Sequence, residues 1–98
     1  MSSISKLMKQ AQEMQDRLQR ELGETIVEAS VGGGMVTLKM NGHRHVLSVK
    51  IDPEVIDPED PAMLEDLMAA VFNEATRKLE ETMQGKIGHM ATSMPGLF

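Results

Sequence analysis

The dipeptide Asn41-Gly42 constrains the fold of this chain more than any other stretch. Alternating apolar residues flank it, and an Asn-Gly pair between such runs is the strongest short signal for a hairpin with a two-residue type I′ turn. The same alternation at residues 25–31 precedes the glycine run at 32–34, which indicates a further turn or bulge. The sequence therefore predicts a three-stranded antiparallel meander with strands at 25–31, 35–40 and 43–51.

Amphipathic segments precede and follow this meander. Residues 4–22 place apolar side chains at the a and d positions of a heptad, and Gly23 ends the pattern. Residues 61–84 carry a wide apolar side, and Asp60-Pro61 favours a helix start because Asp can cap it and Pro fits the first helical position. The order α-β-β-β-α predicts an α+β fold in a single domain of residues 1–98, with helices at 4–22 and 61–84 and a mobile tail at 85–98.

Both predicted helices are long for so small a sheet. A helix of 19 residues spans about 28 Å, whereas the mean strand has only about 5–6 residues, so the helices should project beyond the sheet. The chain also has 2% aromatic residues and ten Met, a side chain that packs adaptably but specifies shape poorly. We therefore expect a second copy to complete the core. The expected dimer interface is the apolar stripe of the first helix, formed by Ile4, Leu7, Met8, Ala11, Met14 and Leu18.

Charge is distributed unevenly along the 98 residues, whose net charge is −5. Residues 1–51 hold seven Lys/Arg against five Asp/Glu, whereas residues 52–98 hold three against ten. A strongly basic nucleic-acid binder has a different balance, so any such site is expected to be a local patch in the first half. The lack of cysteine excludes disulfides and thiolate ligands. No stretch has the pattern of a signal peptide or a membrane span, which predicts a soluble intracellular protein with no membrane partner.

A two-residue loop at Asn41-Gly42 also sets the register of its neighbours. Lys39 then lies opposite Arg44 on one face, with Lys50 further along that face. Like charges side by side are unfavourable unless an anion lies over them, so these three residues are secondary candidates for phosphate contacts. The alternative, in which the long side chains splay into water, fits the sequence equally well.

The same register places His43 and His45 on the apolar face. Zinc requires three or four protein ligands, and the nearest further histidine, His89, lies far along the chain in the predicted tail. A structural role at the sheet margin is therefore favoured, and neither a metal nor a cofactor is predicted. The chain has no nucleophile elbow, phosphate loop or zinc-protease helix, so we expect no catalytic residues, no enzyme activity and no small-molecule substrate.

Four segments, taken in order, resemble the YbaB/EbfC family of nucleoid-associated proteins. They are "LMKQAQEMQDRLQ" (7–19), "MVTLKMNG" (35–42), "VKIDPE" (49–54) and "MLEDLMAAVFNEATRKLEE" (63–81), and the closing "MPGLF" is also similar to family tails. The resemblance implies an α-β-β-β-α fold and a bacterial, cytoplasmic homodimer with helices that project like the arms of tweezers. It also implies DNA binding, with roles in nucleoid organisation and gene regulation.

The chain is thus expected to bind double-stranded DNA with low sequence specificity, through phosphate contacts made by its helices. The positions that match the basic residues of the family helices are Lys6, Lys9, Arg17, Arg20, Arg77 and Lys78, with Lys86 just beyond. The alternative is a protein-interaction module without direct DNA binding, which the acidic second half and the Met-rich stripe would suit.

Overall fold

The computed structural model of the chain describes the backbone of residues 2–93 and the side chains of residues 3–86. Its elements, in order, are α1 (Ser2–Glu24), β1 (Ile26–Val31), β2 (Val36–Asn41), β3 (Val46–Ile51), a 3₁₀ turn (Pro53–Val55) and α2 (Pro61–Ser93). The strands form one antiparallel sheet in the order β1-β2-β3. The α-β-β-β-α order and the α+β class predicted from the sequence are confirmed.

The core lies between α2 and the first two strands. Buried and exposed residues alternate along β1 and β2, because successive side chains of a strand point to opposite faces. The buried cluster comprises Val27 and Ala29 of β1, Val36, Leu38 and Met40 of β2, and Val71, Ala75 and Leu79 of α2. The α2 residues recur at intervals of four, so one stripe of that helix covers β1 and β2.

The predicted two-residue turn between β2 and β3 is wrong. β2 ends at Asn41 and β3 begins at Val46, so four residues connect the strands. Met40 pairs with Val46 and Lys39 pairs with Ser48, so a bulge also interrupts the register. The side chain of Asn41 builds this longer loop, because its Oδ1 accepts the N–H groups of His43 at 2.9 Å and His45 at 3.1 Å. β3 therefore begins at Val46 rather than at residue 43.

The predicted end of the second helix at residue 84 is also wrong, because residues 85–93, the first part of the predicted tail, are helical. α2 runs through Gly85 and Gly88 to Ser93. A glycine in a helix interior costs only about 1 kcal/mol relative to alanine, which a long helix tolerates. Residues 94–98, where the rest of that tail was predicted, lie outside the described residues.

α1 is an arm that meets the rest of the chain only near its C-terminal end. Apart from Leu22, every described side chain of α1 is exposed, and the helix has 23 residues, about 35 Å at 1.5 Å per residue. The N–H of Gly42 donates to the Leu22 carbonyl at 2.8 Å. Lys86 Nζ donates to Thr25 Oγ1 at 2.6 Å, so the later part of α2 passes the end of the sheet at which α1 is attached. No helix in the described part of the chain has an apolar stretch long enough to span a bilayer.

Candidate nucleic-acid interface

Four cations lie on one face of α1. At 100° per residue, Lys6, Lys9, Arg17 and Arg20 fall within an arc of about 80°, opposite the apolar stripe of the same helix. All four are exposed, and none forms an ion pair with another residue among the described side chains. Glu13 lies within the same arc and reduces its positive charge. This α1 cationic face can therefore present free ammonium and guanidinium groups to an anion.

The cations of α2 are instead engaged within the chain. The guanidinium of Arg77 donates to both carboxylate oxygens of Glu74, at 2.7 and 3.1 Å, and to Glu81 Oε2 at 2.8 Å. The hydrogen bond from Arg77 lowers the pKa of Glu74, and the bond to Glu74 raises the pKa of Arg77. Lys78 Nζ donates to the main-chain carbonyl of Glu28 at 2.9 Å. An anion that bound Arg77 would have to compete with two carboxylates already in place.

The basic residues around the β2–β3 hairpin do not form the predicted like-charge pair. Lys39 lies opposite Ser48 in β3 and opposite Glu28 in β1, so its cross-strand neighbours are a hydroxyl and a carboxylate. Arg44 lies in the connecting loop with φ 65°, and its Nη2 is 3.8 Å from Glu80 Oε1. Lys39 and Lys50 therefore lie on the same sheet face, the one away from α2. Arg44 lies outside the strands and does not share that face.

The two histidines are not on the buried face, contrary to the sequence-based register. His43 is partly buried and His45 is exposed. His43 Nε2 lies 3.1 Å from the carbonyl oxygen of Gln19, so its imidazole connects the loop to the last turns of α1. Within the described side chains, no three His, Asp or Glu residues are grouped as a metal site requires, and the side chain of His89 lies outside them.

Two contributions to this region were missed in the sequence. The first is the junction between α1 and the hairpin, where Asn41 accepts main-chain N–H groups of the loop and His43 contacts the carbonyl of Gln19. An Asn side chain often accepts the main-chain N–H two residues ahead, and this tendency could have indicated the junction. The second is the pair of salt bridges that Arg77 forms with Glu74, three residues before it, and with Glu81, four residues after it. That spacing brings side chains together on a helix.

Apolar side chains are also exposed outside the core. The α1 stripe is open along its length, from Ile4 and Leu7 to Leu18. A shallow groove of about 640 Å³ lies where Ile56 and Pro58 face the first turns of α2, at Leu64 and Met68. Exposed apolar surface of this extent is a mark of an interaction site.

The fold has a counterpart among solved structures. The crystal structure of an uncharacterized protein from Helicobacter pylori superposes with a TM-score of 0.72, over 92% of this chain and 95% of that one. The two sequences are 22% identical, so this likeness concerns the fold alone. It is the fold of a small α+β protein whose helices extend from a three-stranded sheet.

Residues 1–94 match the YbaB/EbfC DNA-binding family, and the chain belongs to that family. A nucleoid-associated protein of Chloroflexus aurantiacus is 45% identical over 94% of this chain and 95% of its own length. A nucleoid-associated protein of Alkaliphilus metalliredigens is 46% identical over 98% of this chain and 89% of its own length. The family resemblance noted in the sequence is thereby confirmed, and neither relative carries the name of an enzyme.

Proposed function

We propose that this chain is a homodimeric nucleoid-associated protein that binds duplex DNA with low sequence specificity, with its α1 arms against the phosphates. The observation that carries the proposal is the α1 cationic face, whose four side chains are exposed and have no ion-pair partner among the described residues. Membership of a DNA-binding family and the names of the relatives support it. The corresponding location is the bacterial nucleoid in the cytoplasm, with a role in nucleoid organisation and gene regulation.

Phosphate contacts are the chemistry that this face fits. Flexible, exposed lysine and arginine side chains along a helix can each neutralise a phosphate and release its condensed counterions, whatever the base sequence. The four cations extend over about 21 Å of helix axis between Lys6 and Arg20. Since the whole chain carries a net charge of −5, repulsion from its acidic parts opposes binding and limits the affinity. Because phosphate contacts release condensed counterions, the affinity should fall as the salt concentration rises.

The other basic residues take a lesser part in this proposal. Arg77, Lys78 and Lys86 must first leave Glu74, the Glu28 carbonyl and Thr25, which reduces what each gains from a phosphate. Lys39 and Lys50 lie on the outer sheet face and Arg44 in the loop, so they serve DNA only if the duplex also contacts the sheet.

The homodimer is supported by the apolar surface that the single chain leaves open. Ile4, Leu7 and Met8 are each about two-thirds exposed, at 66%, 64% and 69%. Together with Ala11, Met14 and Leu18 they form a stripe opposite the cationic face, so a second copy can cover one side of α1 while the other side stays free for DNA. Two copies also double the number of phosphate contacts along one duplex.

Binding of the full chain to a random-sequence duplex at rising salt tests the proposal. Affinity should fall linearly on a log–log plot, and the double variant Lys6→Glu/Lys9→Glu should bind more weakly and show a slope smaller by about 0.9 for each lost phosphate contact. The matched control is Lys39→Glu/Lys50→Glu, which makes the same change in net charge on the sheet and should retain most of the affinity. No binding of the natural chain at low salt would refute the proposal and favour a protein-interaction module instead. Equal losses in the two variants would refute preferential contact through α1.

A further inference from the structure

The apolar groove beside the start of α2 has two walls. One is the segment that follows β3, at Ile56 and Pro58, and the other is one side of α2, at Pro61, Leu64 and Met68. The groove has a volume of about 640 Å³, and the Ile56 side chain in its wall is 56% exposed. We call it the Ile56 groove, and an apolar concavity of this size is typical of a binding site.

Local contacts hold the wall that precedes α2. Asp52 Oδ1 accepts the N–H of Glu54 at 3.0 Å. Asp57 Oδ1 accepts the N–H of Glu59 in the same way, at 2.9 Å. Three prolines within residues 53–61 also fix the main-chain φ angle at their positions. A ligand therefore meets a wall that is already ordered, and little conformational entropy is lost when it binds.

The segments that form the groove are acidic and contain no Lys or Arg. The chain has no basic residue between Lys50 and Arg77, and Asp57 and Glu65 line the groove itself. The carboxylates of residues 52–66 are all exposed and form no ion pair with a described side chain; they are Asp52, Glu54, Asp57, Glu59, Asp60, Glu65 and Asp66. This charge repels phosphate and attracts Lys or Arg that flank an apolar segment.

The Ile56 groove and the attachment of α1 lie at opposite ends of the sheet. α1 is joined at the β2–β3 hairpin, where the N–H of Gly42 donates to the Leu22 carbonyl. The start of α2 instead lies at the β1–β2 turn, since a Cβ placed on Gly32 would lie 3.0 Å from Leu67 Cδ2. Strands of six residues separate these ends by roughly 20 Å. A ligand in the groove therefore leaves the α1 cationic face open.

We propose that the Ile56 groove binds an amphipathic helix of another protein, with apolar side chains at positions i, i+3 and i+7 and with Lys or Arg beside them. Pro61, Leu64 and Met68 follow the same spacing, so α2 offers two helical turns of apolar wall, about 10 Å long. Asp57 and Glu65 then lie beside the cations of that helix. This function goes beyond the proposed DNA contacts, because a chain that uses both surfaces holds another protein on DNA.

The charge pattern distinguishes such a partner from α1 of a second copy. α1 also has an apolar stripe, but the four residues of the α1 cationic face lie on its opposite side. With its stripe in the groove, α1 would direct those cations to solvent, away from Asp57 and Glu65. A helix whose cations flank its apolar stripe fits both the apolar wall and the acidic rim.

A designed peptide tests the groove directly. The probe is a fluorescein-labelled helix of about 15 residues, with Leu at positions i, i+3 and i+7, Lys beside them and Ala elsewhere. Fluorescence anisotropy measures its binding to the full chain. Two control peptides replace Lys by Glu, or Leu by Ala. We expect each control to bind roughly tenfold more weakly or less, because one loses the charge attraction and the other the apolar contacts.

Variants of the apolar wall locate the site. Ile56→Ser should weaken binding of the Lys-Leu peptide roughly tenfold, because it removes an apolar side chain that the peptide buries. The matched control is Ile26→Ser on β1, which removes the same side chain from an equally exposed position, at 57% against 56%. Binding to Ile26→Ser should equal that of the natural chain.

Variants of the acidic rim leave the apolar wall intact. Asp57→Asn/Glu65→Gln removes two negative charges but keeps an acceptor oxygen for the N–H of Glu59, so the segment stays folded. Binding of the Lys-Leu peptide should weaken in this variant. Glu13→Gln/Asp16→Asn makes the same change in net charge on α1 and should have a smaller effect.

The outcomes separate this proposal from the DNA contacts. No binding of the Lys-Leu peptide, equal binding of the Glu peptide, or equal losses in the groove variants and their controls would overturn it. A natural dimer that dissociates in Ile56→Ser, measured by light scattering, would assign the groove to a second copy and overturn it as well. Duplex binding should be unchanged in Ile56→Ser, so failure of the peptide leaves the α1 phosphate contacts standing.

Discussion

Gly42 approaches Leu22 so closely that its N–H donates to the Leu22 carbonyl at 2.8 Å, and a Cβ placed on Gly42 would lie 2.5 Å from that same oxygen. The left-handed residue of the loop is Arg44, with φ 65°, and not the glycine. Glycine is therefore required at position 42 for the close approach of two backbones and not for a type I′ turn. This contact fixes where the α1 arm is attached to the sheet.

The first prediction concerns that contact. Gly42→Ala should destabilise the fold by roughly 1–3 kcal/mol, because the new methyl group must push either α1 or the hairpin aside. Urea unfolding at one fixed protein concentration measures the change, since dimerisation would otherwise shift the midpoint. Gly85→Ala is the matched control: nothing lies within 4 Å of its added Cβ, and its helical position predicts a gain of up to about 1 kcal/mol. Equal stability of Gly42→Ala and the natural chain would contradict the steric account.

The second prediction concerns Asn41, which is 8% exposed and holds the loop through one oxygen. Asn41→Ala leaves the N–H groups of His43 and His45 without that acceptor and should cost about 1–3 kcal/mol. Asn41→Asp keeps an acceptor oxygen and should recover most of the loss at neutral pH. Asn73→Ala, on the exposed surface of α2, serves as the control and should lose nothing. If the Asp variant were as unstable as the Ala variant, the role assigned to Oδ1 would be wrong.

The elements with a clear period were predictable from sequence, whereas the connections between them were not. Alternation marked β1 and β2 because one face of each strand is buried under α2. The alternation predicted the wrong start for β3, because Asn41 accepts two main-chain N–H groups and lengthens the loop. The longer loop shifts the register of β3, so Lys39 pairs with Ser48 and not with Arg44. A hydrogen-bonding side chain overrode a turn preference that holds for the main chain alone.

In the candidate site, too, the positions within one helix were predictable from sequence, whereas contacts between elements were not. The spacing of Lys6, Lys9, Arg17 and Arg20 was enough to place them on one helix face opposite the apolar stripe. Position in the sequence could not show that Lys78 reaches the Glu28 carbonyl, fifty residues away, because that contact depends on how α2 crosses β1. The packing of distant elements determines which cations are bound within the chain, and the periodicity of one helix cannot predict such contacts.

The third prediction is that the carboxylates around Arg77 restrain it from DNA. In Glu74→Gln/Glu81→Gln the guanidinium loses both ionic partners, so it should become available to a phosphate. Affinity for a duplex should rise, and the slope of its salt dependence should steepen by about 1. The control Glu54→Gln/Glu59→Gln makes the same change in net charge on the segment before α2. Equal gains in the two double variants would show that overall charge, and not release of Arg77, is responsible.

The fourth prediction concerns acid. The hydrogen bond from Arg77 lowers the pKa of Glu74 below its usual 4.5, which favours the ionised carboxylate in the folded chain. A carboxyl group whose pKa is lower in the folded state stabilises the fold above its unfolded pKa, and this contribution is lost as the pH falls through the folded value. The Glu74–Arg77 pair should therefore support α2 at neutral pH and stop doing so in acid below pH 4.5.

Titration of the Glu74 carboxyl carbon by NMR measures this directly. Its midpoint should lie below 4.5 in the natural chain and return toward 4.5 in Arg77→Gln, because the variant removes both the hydrogen bond and the nearest positive charge. Arg17→Gln loses the same charge from α1 and should leave the Glu74 midpoint where it was. A midpoint that does not move in Arg77→Gln would mean that the pair does not persist in solution, and Arg77 would then be as free for phosphate as the cations of α1.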